Sequence, residues 1–353
     1  MLTPLATVVA VGARTTIGLD ARDTAFLYRA GSAGMTEAAI LDSNDEPFTL
    51  CLLPTLDPRL TGPDRVVWLG LPALAEALAP LGAGRTALRG KLLLCMDDHL
   101  SVPYEGGMVP AGVVAGALMR RLGEIGAGDL PVEPNARGPA GAGFALAEGI
   151  ASLQQGALDY LVLGGVHSDY DIPRLRSLEY QERVFSPTNL DSLIPGEAAA
   201  FAVLMHPEVA RRSGLPARVH VCAVETAYER ARPDNDEPAF VAAGLTVIFQ
   251  RLGAHLERAQ AKAGWLLTDL TFEMWRLNES MAVWARSSAF VGEPNLIDSP
   301  AQRLGYLGAA VMPLHLALAA EGWRRGFAPS RAAISYAGSD PGERAGMLLL
   351  APA

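Results

Sequence analysis

The stretch ALDYLVLGGV, residues 157–166, decides the reading of this chain: after Asp159 it is an apolar run that carries two adjacent glycines. Leu161, Val162, Leu163, Gly164 and Gly165 offer no polar face, which is the pattern of a strand covered on both sides of its sheet. Immediately before it, Phe144 to Gln155 places Leu146, Ala147, Ile150 and Leu153 on one helical face and stops at Gly156. Helix followed by buried strand recurs outward in both directions. Thr7–Gly12, Lys91–Cys95 and Ala199–Met205 read as further strands, and Ala111–Ile125, after a loop ending in Pro110, reads as a helix closed by Gly126. MHPEVARRSGLP, residues 205–216, reads as a linker. After it the pattern resumes with a strand at Arg218–Val224, helices over 245–256 and Leu307–Trp323, and a strand at Ala345–Leu350. Alternation on both sides of a linker predicts α/β architecture in two similarly built parts, residues 1–212 and 213–353.

The 353 residues are 50% hydrophobic and 19% charged, which suits a compact globular chain with a substantial core. A net charge of −9 argues against a non-specific nucleic-acid binder and against attraction to an anionic membrane. No segment approaches 18–20 uninterrupted apolar residues, and the N-terminus lacks a basic region, so a cytoplasmic protein is expected. Cys51, Cys95 and Cys222 each lie in an apolar run and read as buried free thiols. No CxxC pair or HExxH spacing occurs, so no metal is expected. Gly138–Gly143 spells GxxGxG rather than a dinucleotide fingerprint, so no cofactor is expected either.

Four segments, in order, resemble β-ketoacyl synthases of the thiolase-like superfamily. They are VVAVGARTTIGLDARDTAFLYRAGSAG (8–34), the helix and strand from Gly138 to Val166, IPGEAAAFAVL (194–204) and RLGYLGAAVMPLHLALA (303–319). The resemblance implies a duplicated thiolase-like fold: two βαβαβαββ-type halves, two five-stranded sheets, layers α-β-α-β-α, and homodimerisation.

A condensing enzyme of that family needs a cysteine thiolate at a helix N-terminus, two histidines and backbone N–H groups for the oxyanion. The matching positions here lack them. The nucleophile position falls at Pro139, a good helix-start residue with no nucleophile. The first histidine loop corresponds to Thr271–Glu279, with Phe272, Met274 and Trp275 in place of its glycines. The second histidine position is Tyr306, whose phenol, with a pKa near ~10, is a poor proton shuttle at neutral pH. The lysine position is Ala301, with Arg303 close by. The "GFGG" loop is replaced by the turn sequence Ala337–Gly342. Four losses point to no condensation.

Polar residues that could still carry a function are His167 at a strand end beside Asp169 and Asp171, Glu273, Trp275, Arg276, Asn278, Glu279, Arg303 and Tyr306. His167 reads as a loop histidine satisfied by a neighbouring carboxylate, and Glu273/Arg276 as a surface ion pair. Trp275, Arg276 and Trp284 have the composition of an interface. The leading expectation is a catalytically inactive scaffold or adaptor, pairing as a homodimer or as a heterodimer with a synthase-like or cargo protein, and engaging an acyl chain or carrier protein. The alternatives are an acyltransferase, 3-oxoacyl-carrier-protein synthase or malonyl decarboxylase with a non-cysteine mechanism, and an acyl-group binder. The enzyme reading requires His167, Tyr306 and Glu273 to converge near Pro139. A tunnel plugged by Phe272, Met274 or Trp275 would favour the scaffold.

Overall fold

The computed structural model describes residues 2–97, 111–233, 235 and 239–353. Pro110 lies outside them. The first half builds β1 (Ala6–Thr15), α1 (Ala21–Arg29), a two-stranded hairpin of β2 (Met35–Leu41) and β3 (Pro47–Cys51), α2 (Gly62–Leu78), β4 (Gly90–Cys95), α3 (Ala111–Arg121), β5 (Val132–Asn135), α4 (Gly141–Gln154), β6 (Tyr160–Ser168), α5 (Ile172–Tyr180) and β7 (Glu197–Met205). Residues 205–216, read as a linker, contain a short helix, α6 (Pro207–Arg212), started by Pro207 and capped by the His206 ring, which accepts from the Glu208 N–H. The second half builds β8 (Val219–Tyr228), α7 (Ala243–Arg258), β9 (Ala263–Thr268), α8 (Met274–Ala285), β10 (Val291–Asp298), α9 (Ala301–Leu304), α10 (Val311–Arg325), β11 (Ala332–Gly338) and β12 (Glu343–Leu350).

The strand order is β10-β9-β11-β12-β8-β1-β7-β6-β4-β5. Its halves repeat one another: β6, β4 and β5 run parallel, as do β11, β9 and β10, while β7 and β12 are antiparallel to their neighbours. The expected pair of five-stranded sheets is joined into one ladder, because Ala6, Thr7 and Val8 pair with Val221, His220 and Val219.

The halves face each other across α4 and α10, which pack on strands of both. Burial on both faces explains the unbroken apolar runs. Along β7, Ala198, Ala200, Ala202 and Leu204 face the central helices, while Ala199, Phe201, Val203 and Met205 face α2 and α3. On the far side of the second half-sheet, α7 and α8 cover Ile334, Tyr336 and Leu348. The layers are therefore α-β-α-β-α, as the resemblance implied.

Small residues bring the central helices close. A Cβ at Gly143 would lie 2.3 Å from that of Ala345. The paired glycines of β6 serve opposite faces: a Cβ at Gly164 would strike the Phe201 ring at 2.0 Å, and one at Gly165 the Ala309 carbonyl at 2.1 Å. Glu197, from the IPGE segment, is fully buried and paired with Arg65 of α2, while its Oε1 accepts the Leu53 N–H at 2.6 Å. Residues 62–82 form a helical stretch whose length and apolarity would allow a membrane crossing, which the uninterrupted-run criterion passed over; over half of it is buried, much of it against the half-sheet.

Candidate functional site

The parallel strands β4, β6, β9 and β11 all end on one side of the molecule, and the polar residues that follow them meet there. Asp97 follows β4, His167 and Asp169 close β6, Asp269 follows β9, and Ser339 and Asp340 follow β11. Strand ends in α/β sheets are where backbone pairing stops and side chains converge.

His167 is fully buried between two carboxylates, with Nδ1 2.5 Å from Asp97 Oδ2 and Nε2 3.0 Å from Asp169 Oδ2. Burial alone disfavours its cation, but Asp169 and Asp97 outweigh that and push its pKa up to about 10. It is therefore an imidazolium at neutral pH, donating from both ring nitrogens. Asp97 Oδ1 accepts the Ala309 N–H at 3.1 Å, and Asp169 Oδ1 accepts from Arg174 Nε at 2.9 Å. Burial works against the Asp169 anion too, yet His167 and Arg174 hold its carboxyl well below the usual range. Gly308, at φ +46°, makes this approach possible, since a Cβ there would lie 2.1 Å from Asp97 Oδ1.

From the second half, Arg276 enters the same space. Its Nη1 donates to Asp269 Oδ2 and to the Gly338 carbonyl, both at 2.7 Å; Nη2 donates to Asp340 Oδ1 at 3.0 Å, and Nε to Glu273 Oε2 at 3.1 Å. Arg183 pairs with Glu273 at 2.7 Å and with Asp340. Burial opposes the Glu273 anion, but Arg183 and Arg276 hold it below the usual carboxylate range; the same two arginines hold Asp340 down at about 2. Burial pushes Asp269 up, and Arg276 and the Gly338 N–H act against it.

Tyr306 joins the two sets. Its ring stands edge-on to His167, centroids 5.0 Å apart, and the Arg276 guanidinium lies 5.7 Å from its centre. The Tyr306 N–H donates to the Ile194 carbonyl at 2.7 Å, which fixes the residue after Gly305.

Pro139 is buried in the turn leading into α4, where its missing N–H costs nothing. The next N–H, of Ala140, donates to Ser339 Oγ at 3.0 Å, and Ser339 Oγ donates to the Arg137 carbonyl. A backbone donor that could have faced an oxyanion is thus already used. The thiols offer no substitute nucleophile: burial pushes Cys51 and Cys95 up to about 12 and Cys222 to about 11.

His167, Glu273, Arg276 and Tyr306 therefore do come together, but as a saturated ion-pair network. The Glu273/Arg276 pair is not a surface pair, because both side chains are buried under the loop after β11. Of the three residues with interface composition, Arg276 is buried while Trp275 and Trp284 are half-buried: Trp275 stacks 4.3 Å from the Arg276 guanidinium, and Trp284 Nε1 donates to the Tyr336 hydroxyl at 3.0 Å. Phe272 and Met274, two of the three side chains whose plugging of a tunnel would favour the scaffold, are exposed. Thr271 is buried and bonded to Glu273, Ala301 is buried, and Asn278 is exposed. Glu279 pairs with buried Arg344 at 2.8 Å. Arg303 lies away from the network, on Tyr28 of α1. Asp97, Arg174, Arg183, Asp269, Ser339 and Asp340 escaped the sequence reading. The signal that finds four of them is a polar residue directly after an apolar strand.

No protein-family profile matches the chain, and no curated protein does. Solved structures do. The chain is similar to the ishigamide ketosynthase/chain length factor, at 21% identity over 99% of both chains and a TM-score of 0.70. It is similar to a type II PKS acyl-carrier protein in complex with its ketosynthase bound to the hexaketide, at 13% identity over 99% of this chain and 100% of that one, with a TM-score of 0.78. A third is the oxazolomycin ketosynthase domain of Streptomyces albus JA3453, at 14% identity over 99% and 75% of the two chains, with a TM-score of 0.76. The likeness is one of fold: this chain has the thiolase-like α/β fold of the ketosynthases.

Proposed function

We propose that the chain is a non-catalytic subunit of ketosynthase fold, acting as a scaffold or adaptor for a synthase-like, carrier or cargo protein. The observation that carries this reading is a buried proline, Pro139, at the head of α4, followed by an Ala140 N–H already bonded to Ser339, whose neighbour Gly338 gives its carbonyl to Arg276. Condensation needs an activated nucleophile and unspent oxyanion donors. Here the helix starts on proline, the Ala140 N–H is bonded to Ser339, and the nearby cations are paired with carboxylates. Support for a partner comes from the similar structures, one titled a ketosynthase/chain length factor and one an acyl-carrier protein in complex with its ketosynthase. Pairing with a second, different chain fits that company better than homodimerisation alone.

The test is intact-protein mass spectrometry after incubation with acyl- and malonyl-carrier protein, scored for covalent adduct and for loss of CO₂ from the malonyl group. The expected result is an unmodified mass and intact malonyl group, together with co-purification of a synthase-like, carrier or cargo protein from native cells. An adduct or malonyl loss that persists in the Cys95→Ala, Cys222→Ala double variant would show a working enzyme.

A further inference from the structure

Helix α10 starts beside the ion-pair network and, at 1.5 Å per residue, ends about 22 Å away. At that far end lies a cavity of about 720 Å³, walled by the segment before β8, the end of α10, the 328–331 loop and residues 351–353. Its wall contains Arg218, Arg324 and Arg331 and no Asp or Glu side chain, in a chain whose net charge is −9. Even with a terminal carboxylate at Ala353 counted, arginines outnumber it three to one.

The arginines differ in how far they are satisfied. Arg324 is bonded to Glu321 on its own helix. Arg331 Nη2 donates only to the Pro352 carbonyl, at 3.2 Å. Arg218 is half-buried; its backbone N–H is anchored to Val8, yet its side-chain Nε is buried with no partner. A buried donor left unpaired is destabilising, and native structures normally supply such a group with a ligand or water. Apart from Ser330, the rest of the wall is apolar side chains, among them Pro329, Pro352 and Trp323, whose Nε1 donates to the Ser330 carbonyl at 2.7 Å and whose ring stands edge-on to Trp265 at 5.9 Å.

We infer that this cavity binds a phosphorylated small molecule carrying a planar ring. Guanidinium groups fork onto phosphate oxygens, which satisfies Arg218 and Arg331 together. The volume lies in the range of small organic ligand sites and exceeds what a lone phosphate fills. Trp323 and the prolines supply the apolar surface for the ring. The site is distant from the ion-pair network and does not depend on the functional reading above.

The test uses ADP as the probe, with inorganic phosphate and adenosine for comparison, by calorimetry and tryptophan fluorescence at low salt. ADP is expected to bind and to weaken as salt is added, phosphate to compete more weakly, and Trp323→Phe to lose the fluorescence change. Arg218→Gln and Arg331→Gln should each weaken ADP roughly tenfold while melting at the wild-type temperature. Arg331 is exposed, so its variant reads the site even if Arg218→Gln fails to fold. Absence of ADP binding at millimolar concentration, adenosine binding as tightly as ADP, or ADP binding unchanged by the folded arginine variants would overturn the inference.

Discussion

Replacing Arg276 with methionine keeps most of the side-chain volume and removes the guanidinium that holds Asp269, Glu273 and Asp340 together. Arg276 is 3% exposed and makes four hydrogen bonds, three of them to carboxylates. Removing one partner from a buried ion-pair set costs about 3–5 kcal/mol, because the remaining charges lose compensation. With an unfolding entropy of roughly 2 cal/mol/K per residue, that loss lowers the melting temperature by about 4–7 °C in a chain this long. The effect must also depend on pH. Glu273 and Asp340 are held below their ordinary values, so their stabilisation is present above the unfolded pKa values and is lost as pH falls through the folded ones. In Arg276→Met much of that contribution is already gone. The gap between variant and wild type is therefore widest near pH 7 and closes as pH falls below the ordinary carboxylate range. Calorimetry from pH 7 to pH 2 measures both quantities. A gap under about 1 °C at pH 7, or one that stays constant down to pH 2, would refute the claim that buried charge pairing fills this space.

His167 makes the complementary prediction at higher pH. Its folded pKa of about 10 exceeds the unfolded value of 6.5, so its contribution is complete below 6.5 and declines as pH rises toward 10. Melting temperature should fall between pH 6.5 and about 7.5, before the thiols titrate in the unfolded chain, and His167→Gln should flatten that slope; an equal slope in both proteins would remove the imidazolium. The three thiols, held protonated by burial, should resist Ellman's reagent at pH 8 in the native protein and all react in guanidinium chloride; rapid native labelling of Cys95 would show an accessible thiolate.

What the sequence determined by itself was local. Unbroken apolar runs such as 161–165 and 199–205 are strands buried on both faces because no alternative leaves so little polar surface, and Gly156 and Gly126 mark helix ends through their left-handed backbone. Pro139 could be read as a lost nucleophile because its place is set by counting back from the glycines of β6. The central site was not legible in the same way. His167 meets Asp97 across 70 residues and Arg183 meets Asp340 across 157, and neither pair leaves a periodic trace. Glu273 and Arg276 are three apart, a spacing that describes an exposed helical pair as well as a buried one. Only the stacking of the two half-sheets around α4 and α10 brings four strand ends together and excludes water from them. That exclusion turns ordinary surface charges into a buried, mutually dependent network, since the strength of each pair and the cost of losing a member both follow from the low local dielectric.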